Sequence, residues 1–112
     1  MEKRRFGNTD MEVSMLGFGG SEIGYQNASV NTVEKLLGSA LESGLNVIDT
    51  AECYMNSEEL IGKAVSHRRN EFYLFTKCGH SKGDDNIVDS GDTESWSITS
   101  ITRSIDRSLK RL

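Results

Sequence analysis

The chain has 112 residues, the size of one small domain, and its 13 basic and 17 acidic residues give a formal net charge of −4. No apolar run approaches the roughly 20 residues that cross a bilayer, and the first residues lack the apolar stretch of a secretory signal. The acidic balance argues against nucleic-acid binding, which requires a basic face. Two cysteines, Cys53 and Cys78, are too few for a disulfide framework, so we expect reduced thiols in a cytoplasmic protein.

The first predicted element is a β-hairpin. Its arms are residues 4–6 and 12–16, and the connection Gly7-Asn8-Thr9-Asp10 supplies residues that accept positive φ. The second arm runs into a glycine cluster at residues 17–20, which ends a strand and permits the close approach of a backbone or a ligand. The cluster lacks the dinucleotide-binding spacing of glycines, and no helix is expected directly after it.

The first predicted helix has signals at both ends. Asn31 and Glu34 form a capping-box pattern at its start, and Gly44 is placed to end it. Its apolar stripe consists of Val33, Leu36, Leu37, Ala40 and Leu41. A short apolar run at residues 45–50 follows directly and predicts a strand.

A second helix and a further strand come next. The helix begins at Asn56 or Ser57, and its basic end at residues 67–69 suits the negative pole of the helix dipole. Its apolar stripe consists of Leu60, Ile61, Ala64 and Val65. Residues 72–77 are predicted to form the next strand.

The last third of the chain combines an acidic segment with a third helix. Residues 79–94 contain five acidic residues and one lysine, so this segment holds the whole net charge. Its composition predicts a solvated loop, because it lacks the ligand spacing of a calcium-binding loop. The helix follows the capping residue Ser97 and ends at Lys110 and Arg111. Its apolar stripe consists of Ile98, Ile101, Ile105, Leu109 and Leu112.

Strands and helices therefore alternate after the hairpin, and this order predicts an α/β fold with a parallel sheet. Three polar residues stand at the strand exits. Asp49 ends one strand, Tyr54 follows it, and Lys77 ends the next strand. If the two strands are neighbours, Asp49 and Lys77 project at the same carboxyl-terminal edge, where α/β proteins bind ligands.

These three residues form a coherent proton-transfer site. An ammonium group near a phenol favours the phenolate and strengthens the phenol as an acid, and a carboxylate keeps the ammonium charged and in place. Such a site suits the protonation of an oxygen that gains negative charge, as in carbonyl reduction. On these residues alone, a salt bridge beside an incidental surface tyrosine is the commoner arrangement.

Five motifs resemble those of the aldo-keto reductases. They are LGFGG at residues 16–20, NVIDTAECY at 46–54, NSEELIG at 56–62, LFTK at 74–77 and SIDRSLKRL at 104–112. The resemblance covers nearly the whole chain and implies the N-terminal part of a (β/α)₈ TIM barrel. Residues 1–16 would form the hairpin and the start of the first strand, and residues 17–112 the remainder of three βα units.

The resemblance also implies the NADPH-dependent reduction of a small aldehyde or ketone by hydride transfer, without a metal ion. In that case Tyr54 is the general acid, Lys77 strengthens it, and Asp49 pairs with Lys77 and touches the cofactor. Gly20 and Ser21 would lie near the nicotinamide.

The chain departs from the family in its length. A complete barrel takes about 250 residues, and only three of eight βα units are predicted here. The family's catalytic histidine follows the fourth strand, so neither His67 nor His80 can be assigned that role. We expect a reductase fragment that is inactive alone and that self-associates through open sheet edges. The alternative is a non-catalytic α/β module that associates with a partner or with itself.

Overall fold

An antiparallel hairpin opens the chain in the computed structural model, which describes residues 1–79 and 97–112. β1 (Lys3–Arg5) pairs with β2 (Glu12–Ser14), and Gly7 takes a φ of +56° in the connection. The predicted hairpin is therefore confirmed, with shorter strands than its arms suggested.

A parallel sheet of three strands carries the rest of the described β structure. β3 (Phe18–Gly19), β4 (Val47–Asp49) and β5 (Tyr73–Phe75) lie in that order, with β4 in the middle. The register places Asp49 beside Gly19 on one side and beside Phe75 on the other. The carboxyl ends of the three strands therefore meet at one edge, as the sequence predicted for the second and third of them.

A short helix, α1 (Ser21–Tyr25), begins directly after Gly20, so the expectation that no helix follows the glycine cluster is wrong. Five residues are too few to show a helical period in the sequence, and α1 has no side-chain cap. Tertiary packing holds it instead. Ile23 is buried, and a Cβ at Gly24 would lie 1.9 Å from the carbonyl oxygen of Tyr54.

The first long helix, α2 (Val30–Glu42), starts earlier than the capping-box pattern predicted. Its cap is Ser29, whose hydroxyl accepts a hydrogen bond from the Thr32 amide at 3.1 Å, so the assignment of Asn31 as the cap is wrong. Ser29 has the extended backbone that a cap needs, whereas Asn31 already lies inside the helix. Gly44, with a φ of +89°, follows the helix as predicted.

The second long helix, α3 (Ser57–Val65), confirms the predicted start at Ser57 and the predicted stripe, all four members of which are buried. The basic residues 67–69 do not lie in its last turn. They belong to a 3-10 helix, Ser66–Glu71, in which Arg68 pairs with Glu71. The core is formed where α2 and α3 cover the sheet, and its fully buried members include Val33, Leu37, Ile48, Ile61 and Val65.

The final helix, α4 (Ile98–Arg111), has the predicted cap, since Ser97 accepts a hydrogen bond from the Ser100 amide at 3.1 Å. Its buried residues, however, are Ser104 and Ser108. Much of the predicted apolar stripe faces solvent, with Ile98 85% and Leu109 75% exposed. The acidic segment lies outside the described residues, apart from Gly79. No helix in the described ranges is long and apolar enough to cross a bilayer.

Candidate active site

The candidate site lies where the three parallel strands end. The Gly20 amide, directly after β3, donates to the Asp49 carbonyl oxygen at 2.7 Å. The Lys77 ammonium lies two residues beyond β5 and forms an ion pair with the Asp49 carboxylate. The structure therefore brings together Gly20, Asp49 and Lys77, and the last two share one edge as the alternation of strand side chains predicted.

Lys77 is held by more than this ion pair. Its Nζ also donates to the Thr50 carbonyl oxygen at 2.8 Å and lies 5.2 Å from the centre of the Tyr54 ring. Burial alone lowers the pKa of Lys77, but the hydrogen bond and charge of Asp49, together with Tyr54, outweigh that effect and raise the pKa above its ordinary value. Lys77 therefore stays protonated throughout the neutral range.

Tyr54 sits in a tight turn between β4 and α3. Its amide donates to the Ala51 carbonyl oxygen at 3.1 Å, and its own carbonyl oxygen accepts from the Ser57 amide at 2.9 Å. The ring is half-buried and lies 6.2 Å from the ring of Tyr25 in α1, centre to centre. The phenol is thus fixed beside the ammonium group while remaining open to solvent.

The glycine at position 20 is explained by packing. A Cβ there would lie 3.1 Å from both the Asp49 carbonyl oxygen and the Ser57 hydroxyl oxygen, tighter than ordinary van der Waals contact. The buried Ser57 hydroxyl donates to the Gly20 carbonyl oxygen at 2.7 Å and bonds to Thr50 Oγ1 at 2.9 Å. The predicted close approach of a backbone is confirmed, whereas the cofactor contacts of Gly20 and Ser21 stay predictions.

Comparison with known proteins decides the family. The model of the aldo/keto reductase family matches residues 15–112. This chain belongs to the aldo/keto reductase family. One relative is YqkF, an oxidoreductase of Bacillus subtilis (strain 168) that is described as uncharacterized. It is 34% identical to this chain over the whole length of the chain. The L-galactose dehydrogenase of Arabidopsis thaliana is 32% identical over the same length. A solved structure from Pseudomonas aeruginosa, provisionally described as an aldo-keto reductase, superimposes with a TM-score of 0.84 at 34% identity and covers 98% of the chain.

The chain spans only about a third of these relatives. It covers 35% of YqkF, 34% of the dehydrogenase and 42% of the Pseudomonas structure. Its fold class is accordingly the N-terminal part of a (β/α)₈ barrel, and the described residues do not close a barrel. Experiments that need a closed barrel can use a fusion barrel, in which residues 1–112 are followed by the remaining residues of YqkF.

Sequence reasoning missed two buried carboxylates beside the candidate site. Glu52 and Glu58 flank Tyr54 in the chain, and both are buried. Both carboxylates bind side chains of α4. The signal was a polar stripe on that helix, since serines stand at 104 and 108 and arginines at 107 and 111, each pair four residues apart.

The lowered pKa of Glu52 predicts that the free energy of unfolding depends on pH. Burial alone raises the pKa of Glu52. Hydrogen bonds from Arg107 and Ser104, together with the charges of Arg107 and Arg111, outweigh this effect and hold the pKa below its ordinary value of 4.5. A carboxyl whose pKa is lowered by folding stabilises the folded chain above about pH 4.5, and this contribution disappears as the pH falls through the folded pKa.

The corresponding test is Glu52→Gln in the fusion barrel. We expect a loss of about 2 kcal/mol of unfolding free energy near neutral pH, because a buried hydrogen-bonded charge is removed. In urea titrations, the difference between parent and variant should shrink as the pH falls through the folded pKa of Glu52, which lies below 4.5. Glu34→Gln, at an exposed position of α2, is the control and should unfold like the parent. A difference that stays constant with pH would contradict this account.

The two cysteines flank the site. Cys53 precedes Tyr54 and Cys78 follows Lys77, and both are half-buried. His67 is exposed in the 3-10 helix, and His80 lies outside the described residues.

Proposed function

We propose that the chain supplies the proton-donating part of an NADPH-dependent reductase that converts aldehydes or ketones into alcohols. The single observation that carries the proposal is the grouping of the Asp49 carboxylate, the Lys77 ammonium and the Tyr54 phenol at one open sheet edge. Membership of the aldo/keto reductase family and the oxidoreductase relatives support it. A small carbonyl compound is the proposed substrate, and the small number of cysteines, two in the chain, favours a cytoplasmic location.

In this proposal the Tyr54 hydroxyl gives its proton to the carbonyl oxygen as the carbonyl carbon receives hydride. Bound NADPH supplies that hydride. The Lys77 ammonium stabilises the phenolate that remains, and its raised pKa keeps it charged in the neutral range. Asp49 fixes Lys77 through the ion pair, so the charge stays beside the phenol during turnover.

The site fits the nicotinamide-ribose end of such a cofactor. Asp49 and Lys77 are 45% and 50% exposed in their side chains, so a carboxylate and an ammonium group face solvent where ribose hydroxyls would bind. Gly19 beside them has open space, since no atom lies within 4 Å of a Cβ built there. We assign Gly20, Ser21 and Asp49 to this end of the cofactor.

The fusion barrel tests the proposal. We expect it to consume NADPH when aldehydes or ketones are added, whereas the chain produced as 112 residues shows no measurable turnover and binds NADPH weakly or not at all. The measurements are NADPH absorbance with a panel of carbonyl compounds and a cofactor titration by fluorescence. Micromolar NADPH binding by the 112-residue chain would contradict the expectation that these βα units are insufficient to bind the cofactor.

A second candidate function, a non-catalytic module that associates with itself or a partner, is favoured by the exposed apolar surface. Within the described ranges, β3 and β5 each pair on one side only, and unpaired strand edges are templates for association. Ile98 and Leu109 of α4 add exposed apolar area. We therefore expect the 112-residue chain to self-associate or to unfold with low cooperativity. Size-exclusion chromatography with light scattering checks this, and a cooperatively melting monomer would contradict it.

A further inference from the structure

The turn that carries Tyr54 is bracketed by two buried carboxylates. Glu52 stands two residues before Tyr54 and is 4% exposed, and Glu58 stands four residues after it and is 2% exposed. Neither forms part of the Asp49–Lys77 pair at the solvent-facing edge. A buried carboxylate without hydrogen-bond partners is strongly disfavoured, so each must be satisfied inside the fold.

Helix α4 satisfies the first of these carboxylates. Glu52 Oε2 accepts a hydrogen bond from the Ser104 hydroxyl, and Oε1 accepts one from Arg107 Nε. Arg111 Nη1 lies 3.9 Å from the same Oε1. The conformation of the turn before Tyr54 is therefore linked to the position of a helix that is about 50 residues away in the sequence.

The second carboxylate connects the same helix with the segment that carries Lys77. Glu58 Oε1 accepts from the Ser108 hydroxyl at 2.8 Å and from the Thr76 hydroxyl at 2.7 Å, and Oε2 accepts from Arg111 Nη1 at 3.2 Å. Thr76 immediately precedes Lys77. Glu58 thus joins α4, the start of α3 and the end of β5 in one hydrogen-bonded group.

The two arms of this network meet at the backbone. The Glu52 amide donates to the Lys77 carbonyl oxygen at 3.2 Å, so the turn before Tyr54 and the segment after β5 are also joined directly. A displacement of either carboxylate therefore changes the distance between the Tyr54 phenol and the Lys77 ammonium group. That spacing sets how strongly the charge acts on the phenol.

We propose that α4, acting through Glu52 and Glu58, positions the Tyr54 phenol relative to the Lys77 ammonium. The inference rests on the proposed function and adds positioning residues for it, namely Glu52, Glu58, Thr76, Ser104 and Ser108. None of these side chains needs to touch substrate or cofactor. Fixed placement of a proton donor matters because small displacements of reacting groups lower rates by one to two orders of magnitude.

Two substitutions in the fusion barrel test one arm each. Ser104→Ala removes the hydroxyl that holds Glu52, and Thr76→Val removes the hydroxyl that connects Glu58 to the Lys77 segment, with little change of shape. We expect kcat to fall about 10- to 100-fold in each variant while the Kd for NADPH stays within about twofold of the parent. Thr76→Ser should restore kcat, and Thr102→Ala, at an exposed position of α4, is the matched control.

A second readout does not depend on turnover. Amide hydrogen exchange of residues 51–58 should be faster in Ser104→Ala than in Thr102→Ala, because the turn has lost its anchor on α4. Exchange is compared in the absence of cofactor. If Ser104→Ala fails to fold, the Thr76→Val and Thr76→Ser pair decides the question, because Thr76 is exposed and Thr76→Ser keeps the hydroxyl that bonds to Glu58.

The outcomes separate this inference from the proposed function. If both variants only lower the melting temperature, while kcat and the pH–rate profile measured well below that temperature match the parent, the positioning role is overturned. Equal hydrogen exchange in Ser104→Ala and its control would also overturn it. A fusion barrel in which Tyr54→Phe has the parent's turnover would instead overturn the assignment of the proton donor, whatever the network variants do.

Discussion

Carbonyl reduction by the Tyr54→Phe fusion barrel is expected to be about 10²- to 10⁴-fold slower than reduction by the parent, because general acid catalysis contributes a factor of that size. The substitution removes the phenolic proton and leaves the ring, which keeps its contact with Tyr25 and its place beside Lys77. NADPH binding should therefore stay nearly intact. The measurements are steady-state kcat and a cofactor titration of the same preparation.

Tyr25→Phe is the matched control for this prediction. Tyr25 is an exposed tyrosine whose ring lies 6.2 Å from that of Tyr54, so it shares the surroundings but not the contact with Lys77. Its replacement should leave kcat within about twofold of the parent. Unchanged turnover in Tyr54→Phe, or an equal loss in both variants, would end the assignment of Tyr54 as the proton donor.

The Lys77→Met fusion barrel should reduce carbonyl compounds about 10- to 100-fold more slowly near neutral pH, because the charge that strengthens the acid is gone. A pH–rate profile of parent and variant measures this effect.

Lys63→Met controls for the loss of a positive charge, since Lys63 is exposed in the last turn of α3. Its profile should coincide with that of the parent. A Lys77→Met profile of the same shape and position as the parent's would mean that Lys77 has a structural role only.

The helices that are long enough to show a hydrophobic periodicity were predictable from the sequence. The stripe of α3 and the cap of α4 were identified correctly because periodicity and capping are local properties. α1 was missed because its five residues are held by Gly24 and Ile23 against distant parts of the chain. The start of α2 was misplaced because Ser29 and Asn31 are both good capping residues, and only the backbone conformation selects between them.

The part of the candidate site that depends on strand geometry was predictable from the sequence. The alternation of side chains placed Asp49 and Lys77 at one edge, and the ion pair confirms it. The buried face of α4 was not predictable in the same way. Its apolar residues formed the more conspicuous pattern, whereas Ser104 and Ser108 became the buried face because two carboxylates on other elements needed partners.

The docking of α4 determines how short a piece of this chain can be and still hold the site. A chain ending at Gly79 would keep Asp49, Tyr54 and Lys77, yet it would lose every contact that α4 makes with Glu52 and Glu58. Buried carboxylates without such partners take up protons or draw in water, and either change opens the fold around them. Any piece of the chain that keeps the hydrogen-bond partners of both carboxylates therefore extends through Arg111.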